Sequence, residues 1–448
     1  MENQKVMNRW LVVAGAILIQ LALGAIYAWS VFTPALTKVG GDYQFSAGEA
    51  AWIFSAGLFF FALVMIWAGR KLNSIGPQKL AMFGGLILGA GYILAAFFGD
   101  SFLGQLIFIG IIGGSGIGLA YVVPIAVGVK WFPDKKGMLT GLAVAGFGFG
   151  ATIWVKWAGS WGGGLLQNLE IFGLDGVRSV FFLYGIVFAA MVFLGSLVMK
   201  DPPDGWLPKG YLPPKKTDVK ASGAIDFDSL EMIKTPQYYM LFIAFVFSAL
   251  AGLMVIYCIK LFGIDALTYS KLGTLDPTNT EFLTTREWAS AIAGTAMATY
   301  ATLNGLGRIV WGVVSDKIGR KISIFLMSLI QGVIMLLLFK LGGTVIGFIS
   351  AAAIIGFNFG GNFALFPAAT ADFFGNKTVG RNYGLVFFAY GIAGIAGPQI
   401  AGYFKDAAKG AMTPDAWLTP FIIAGIACLI GSVIVLMIKT PKKPSRFN

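Results

Sequence analysis

Hydrophobic positions in this chain run in long blocks separated by short polar segments. Twelve blocks are long enough to cross a ~30 Å hydrocarbon core as helices. They fall near 10–34, 48–69, 79–98, 102–129, 138–162, 179–199, 237–262, 288–314, 321–341, 344–373, 382–404 and 417–438. The longest polar break, 200–236, holds Asp201-Pro202-Pro203, Pro213-Pro214 and Lys215-Lys216. This pattern predicts an all-α integral membrane protein in three parts: a six-helix lobe over 1–199, a linker over 200–236 and a second six-helix lobe over 237–448. The first block starts after Arg9, is too long for a signal-peptide core, and is followed by no small-residue cleavage site. It reads as the first span.

The two halves repeat. Gly69, Gly76, Gly118, Pro124, Gly137, Gly141 and Gly148 recur as Gly312, Gly319, Gly361, Pro367, Gly380, Gly384 and Gly391, all at an offset of 243. A constant offset over separate regions marks a duplicated unit. Duplicated apolar halves are the sequence signature of a carrier whose substrate sits between two lobes near the bilayer midplane.

Composition agrees. Hydrophobic residues make up 57% and charged residues 12%, against about 25% charged in a soluble domain. Cys258 and Cys428 each lie in an apolar block, so no disulfide framework is readable. Most of the 33 Lys and Arg fall in segments on the side of the N-terminus, which places both termini in the cytoplasm. The net charge of +12 therefore reports membrane orientation. Nucleic-acid binding is not indicated, because the basic residues are scattered over short loops.

Two loops share one pattern. Gly312, Asp316, Gly319, Arg320 and Lys321 stand between spans 8 and 9; Gly69, Asn73, Gly76 and Lys79 stand between spans 2 and 3. The spacing resembles the cytoplasmic loop motif of the major facilitator superfamily. There the acid caps a helix end and pairs with basic residues, holding one side shut in one state. That implies gating roles for Asp316 and Arg320, with Gly69 and Asn73 in the other copy. Asn73 replaces the acid, so any gate there is weaker.

A closer resemblance, to the oxalate/formate antiporter family, runs over nearly the whole chain. It rests on Asn8-Arg9-Trp10-Leu11, the stretch from Gln20 through Gly24, Tyr27 and Trp29 to Phe32, Asp201-Pro-Pro-Asp-Gly205-Trp206, and Asn304-Gly-Leu-Gly-Arg308. It implies transport of small carboxylates such as oxalate, formate, lactate and pyruvate in a prokaryotic inner membrane.

Charge inside the spans carries the mechanism. On this reading no acidic residue lies mid-span, there is no histidine, and the basic residues well inside are Lys156 and Arg308. An unpaired arginine at a helix centre costs at least ~2.5–3.5 kcal/mol. The simplest resolution is that the substrate brings the negative charge, which a guanidinium clasps with two parallel hydrogen bonds. The resemblance identifies Arg308 with the family's anion-binding arginine, and Asn304 lies one turn before it on the same face. Snorkelling of Arg308 to the headgroups is the competing reading. Lys156, between Trp154 and Trp157, reads as a snorkelling lysine of an aromatic belt; a vestibule cation that attracts anions is the alternative.

The family's dicarboxylate members carry a second cation in span 11, where this chain has Tyr390. One fixed cation balances one carboxylate, and a second carboxylate would be left uncompensated in low dielectric. This departure argues for a monocarboxylate (lactate, pyruvate or formate) and against oxalate. Tyr390 either donates a hydrogen bond or packs. Phe359 and Phe363 match a family pair of aromatics four apart, and Tyr27 and Tyr121 have hydroxyls to offer a carboxylate. Each alone reads as packing as readily as binding; together with Arg308 they form an aromatic cage.

Gly113–Gly118 and Gly146–Gly150 resemble a nucleotide loop only superficially, since they lie within apolar helices where small residues permit close packing. No Walker motif is present, so no nucleotide, and no other cofactor or metal, is expected. Without a histidine or acid in the spans, a side-chain proton relay is not supported. Anion exchange is favoured, with proton-coupled symport open. A membrane enzyme would need a cluster of catalytic groups, and a receptor an output domain; neither is readable. The sequence does not show the oligomeric state, and carriers of this size can work as monomers.

Overall fold

The computed structural model describes residues 7–132, 136–203, 206–208, 226–375 and 379–441. Asp204, Gly205 and the stretch 209–225 of the expected linker lie outside the described residues.

Twelve long helices are present among the described residues, at the positions of the twelve apolar blocks. The first half contains α1 (Arg9–Leu23), α2 (Ala47–Ile75), α3 (Pro77–Phe98), α4 (Gly114–Trp131), α5 (Lys136–Gly159) and α6 (Gly176–Ser196). The second half contains α7 (Pro236–Leu272), α8 (Phe282–Ile318), α9 (Arg320–Leu341), α10 (Val345–Phe374), α11 (Val379–Ala407) and α12 (Leu418–Met437). Ten are long and apolar enough to cross a membrane by length and composition. The other two, α5 and α8, pack against each other. Starts are set locally. Asn8 caps α1 by accepting from Trp10 N at 3.0 Å, and Ser46 and Glu49 form a reciprocal capping box on α2.

The repeat has a geometric counterpart. α2 ends at Gly76 (φ +89°) and α8 at Gly319 (φ +88°), a left-handed backbone region that glycine enters without strain. Pro124 lies inside α4 and Pro367 inside α10. Two spans are not uniform α-helix. α1 continues as a 3₁₀ segment, Gly24–Val31, and α4 is entered through a π-helical stretch, Leu106–Gly113. Such irregular turns occur frequently at functional sites, and Tyr27 sits on the first.

Successive long helices reverse direction, so the start of α1 and the end of α12 share one face, here called the terminal face. Lys130 at the end of α4 pairs with Asp201 beyond α6 at 2.6 Å there, and Lys321 donates to the Ile438 carbonyl at 2.6 Å. The opposite face is called distal. Across the middle, α2 packs on α11 and α5 on α8. These two pairs join the halves. A methyl group placed on Gly148 would stand 2.6 Å from Gly305 N, so α5 and α8 touch backbone to backbone.

One expectation fails at α7. The helix runs ten residues past the anticipated end at 262 and stops at Gly273, which has left-handed φ +71°. It therefore carries Lys260 and Asp265 inside the protein, both buried. Lys156 and Arg308 are thus not the whole set of basic residues within the helices, and Asp265 is a buried acid. The polar stretch does not end the helix because Asp265 is satisfied. Lys405 pairs with it at 2.5 Å and Arg286 at 3.4 Å, and Trp417 Nε1 donates to it at 3.0 Å. Buried charges persist when paired and hydrogen-bonded in this way.

Candidate functional site

Arg308 is fully buried in α8, with 0% exposure, so it does not snorkel. Its Nε and Nη2 donate to Asn304 Oδ1 at 3.2 and 3.1 Å. Helical spacing makes this possible, since residues four apart stand one above the other. Nη1 donates to the Val144 carbonyl of α5 at 2.8 Å, so the arginine bridges the two halves. The guanidinium lies 4.0 Å from the Phe363 ring centroid and 5.4 Å from that of Phe147, in cation–π range.

Of five guanidinium N–H groups, three are thus engaged. The remaining N–H on each Nη makes no further hydrogen bond of normal length among the described residues, and the Tyr27 and Tyr121 hydroxyls stand beside the guanidinium. No carboxylate among the described residues lies within 4.0 Å of Arg308. A permanently charged group is thus held buried among aromatic rings and tyrosine hydroxyls, with no carboxylate counter-charge among the described residues.

All seven anticipated binding residues come together here. Tyr390 donates to the Tyr27 hydroxyl at 2.9 Å, joining α11 to α1. The Tyr27 ring packs 4.8 Å from Phe147 and 5.9 Å from Phe359. Tyr121 stands 5.6 Å from Phe147, and both the Tyr27 and Tyr121 hydroxyls lie within electrostatic reach of Arg308. Phe363 sits 5.5 Å from Phe359 and 5.6 Å from Tyr390. Tyr390 therefore both packs and hydrogen-bonds.

Sequence reasoning missed Phe147, Phe61, Phe387 and the Val144 carbonyl. Phe61 faces Tyr121 at 4.9 Å, and Phe387 stacks on Tyr390 at 4.9 Å. Phe147 lies within the glycine run 146–150, whose helix-packing role masked the aromatic between the glycines. A backbone acceptor leaves no sequence signal at all.

The sequence pattern of the Major Facilitator Superfamily matches residues 18–275 and 271–448. The chain belongs to the Major Facilitator Superfamily. A bacterial relative within it, an uncharacterised MFS-type transporter of Escherichia coli (strain K12), is 30% identical over 393 residues, 87% of this chain and 86% of that protein. The oxalate:formate antiporter of Oxalobacter formigenes is 26% identical over 435 residues, 96% of this chain and 91% of that protein. The apicoplast pyruvate carrier 1 of Toxoplasma gondii is 25% identical over 375 residues, 76% of this chain and 66% of that protein. This superfamily member is a multi-pass membrane transporter and not an enzyme.

The anticipated gating residues of this facilitator divide by half. Arg320 pairs with Asp316 at 2.6 Å and Asp372 at 3.5 Å and also touches Ser315, tying α8, α9 and α10 at the terminal face. Asn73 is exposed and makes no side-chain hydrogen bond among the described residues, and Gly69 lies partly buried on α2. Asparagine lacks the charge that would gather a cation.

The distal face carries a contact the sequence did not indicate. Asp406, near the end of α11, accepts from Ala47 N at 2.9 Å and Gly48 N at 2.7 Å. It caps the N-terminus of α2 in the other half, where a carboxylate is favoured by the helix dipole by about 0.3–2 kcal/mol. Asp406→Asn is therefore expected to loosen the distal closure and raise the distal-open population by about two- to thirtyfold. Distances between spin labels at the distal ends of α2 and α11 check this; an unchanged distribution counts against the capping role.

Proposed function

We propose that this transporter carries small monocarboxylates of the lactate, pyruvate and formate type by alternating access. The lobes 1–199 and 237–448 would rock about a site centred on Arg308, with the N- and C-termini in the cytoplasm and the carrier in the prokaryotic inner membrane as a monomer. The observation that carries this reading is the fully buried guanidinium that has no carboxylate partner among the described residues and tyrosine hydroxyls beside its remaining Nη N–H groups. A substrate carboxylate supplies the charge and accepts both hydrogen bonds in the bidentate manner. Asn304 fixes the fork, Tyr27, Tyr121 and Tyr390 offer hydroxyls, and Phe359 and Phe363 wall the cage. Support also comes from relatives named for oxalate, formate and pyruvate.

One cation at the cage favours one negative charge. With Tyr390 neutral, a dicarboxylate would leave its second charge unbalanced in a dry site. Exchange of one anion for another is the preferred coupling, because Asn304 and the tyrosines around Arg308 offer no acid or histidine to relay a proton. The alternative is proton symport, and buried Lys260, a titratable amine outside the cage, is the observation that favours it.

Reconstitution in liposomes with labelled lactate and labelled oxalate tests both points. Lactate is expected to be taken up when a carboxylate is trapped inside, and Tyr390→Lys is expected to shift preference toward oxalate by about tenfold or more, the worth of one charge-assisted pair. Uptake driven by a pH gradient without trapped anion would establish symport. A wild type that prefers oxalate would overturn the single-charge argument.

A further inference from the structure

A cavity of about 690 Å³ opens between the halves at the distal end of α5 and α8. Lys260 of α7, Lys156 of α5 and Glu287 and Thr295 of α8 line it, with Gln167 and Ser290. Lys156 Nζ donates to Thr295 Oγ1 across the halves at 3.3 Å. Lys260 is 9% exposed and forms no ion pair among the described residues. Its helix is buried on every side from Ser248 through Ile259 and again from Phe262 through Thr268. The ammonium therefore has no path along the surface to lipid headgroups, and its outlet is the cavity. A buried charge without a partner calls for one. Glu287 is exposed and pairs with neither lysine, so two cations outweigh one acid.

Thr295 lies thirteen residues before Arg308 on α8, about 20 Å along the axis. Between them α5 and α8 are in contact, with Thr152 and Thr302 hydroxyls 3.0 Å apart. Cavity and cage thus both lie along the α5–α8 seam between the halves, separated by the contact at Thr152 and Thr302.

We propose that Lys260 and Lys156 form a second carboxylate-binding site, a distal vestibule that receives the anion before it reaches Arg308 and again as it leaves. This rests on the carboxylate reading of the central site. The two sites differ in chemistry. The cage holds a planar fork with fixed geometry, whereas the vestibule offers two point charges on flexible stems in a cavity lined with polar groups. It raises local anion concentration and does not select among carboxylates, as a cleft lined by one sign of charge does.

The test uses the full-length protein in proteoliposomes of defined orientation, with labelled lactate offered from either face. Lys260→Met is expected to raise KM from the distal face about tenfold while the maximal rate stays within about twofold. KM from the terminal face is expected to hold, and Lys260→Arg to restore the distal value. In nanodiscs, Arg308→Ala is expected to retain lactate binding on the order of millimolar, and Lys156→Gln with Lys260→Met to abolish it. Equal KM changes on both faces, no rescue by Lys260→Arg, or residual binding that survives both lysine substitutions would each overturn the vestibule site. A wild type that binds no lactate removes the central reading and this one together. Lactate binding that depends on Arg308 alone removes only this one.

Discussion

Arg308→Lys is expected to lower lactate transport by about a hundredfold or more while the protein still folds. Lysine keeps the positive charge but loses the fork. The two bonds to Asn304 Oδ1 and the bond to the Val144 carbonyl hold the guanidinium plane against Phe363. An ammonium on a flexible stem cannot present two parallel donors to a carboxylate in that place. Losing two charge-assisted hydrogen bonds costs about 3–5 kcal/mol in the bound state, and each 1.4 kcal/mol is tenfold in affinity. Arg308→Met has a second signature. Removing a buried charge that lacks a counter-charge relieves its desolvation penalty. The substrate-free variant is therefore expected to melt at or above the wild-type temperature in detergent, and to lose the stabilisation that lactate gives the wild type. A large fall in melting temperature without lactate would instead mark Arg308 as structural.

The second large effect concerns the interface that carries the site. α8 and α10 touch backbone to backbone at Gly307, Gly356 and Gly360. A methyl group on these would run into the carbonyl oxygens of Phe357, Tyr300 and Asn304. No side chain can be repacked to make room, because the obstacle is main chain. Gly360→Leu is expected to cost about 3 kcal/mol or more, the upper range of overpacking. It must also separate Asn304 and Arg308 on α8 from Phe359 and Phe363 on α10, so transport is expected to fall even where folded protein is recovered. Gly294 is the control. It lies on α8 facing the distal cavity, with no heavy atom within 4 Å of its added methyl. Gly294→Ala is expected to be neutral or to stabilise by up to about 1 kcal/mol through helix propensity. Melting curves of the two variants, with lactate uptake alongside, check the pair; equal effects would argue against backbone contact as the cause.

The twelve spans, the duplicated unit and the central arginine were legible in the chain itself. Each follows from a one-dimensional rule: apolar runs must match a bilayer, an offset of 243 joins Gly76 to Gly319, and a charge amid apolar residues stands out by its cost. Asn304 was legible for the same reason, being one turn from Arg308 on a known helix. The tertiary structure decided which rings stand at the guanidinium, and it brought in Phe147 and the Val144 carbonyl from a different helix of the other half. Apolar side chains facing lipid and those facing protein are indistinguishable by hydropathy, because a membrane helix meets an apolar medium on both sides. The same blindness set α7 too short. A polar residue ends an apolar run on paper, yet Asp265 stays helical and buried because Lys405, Arg286 and Trp417 arrive from elsewhere in the fold. Asp406 on the α2 N-terminus, and Lys260 beside Lys156 at one cavity, are pairings across sequence separations of hundreds and about a hundred residues. Local sequence determines which segments are helices and where charge is expensive; only packing determines which charges meet.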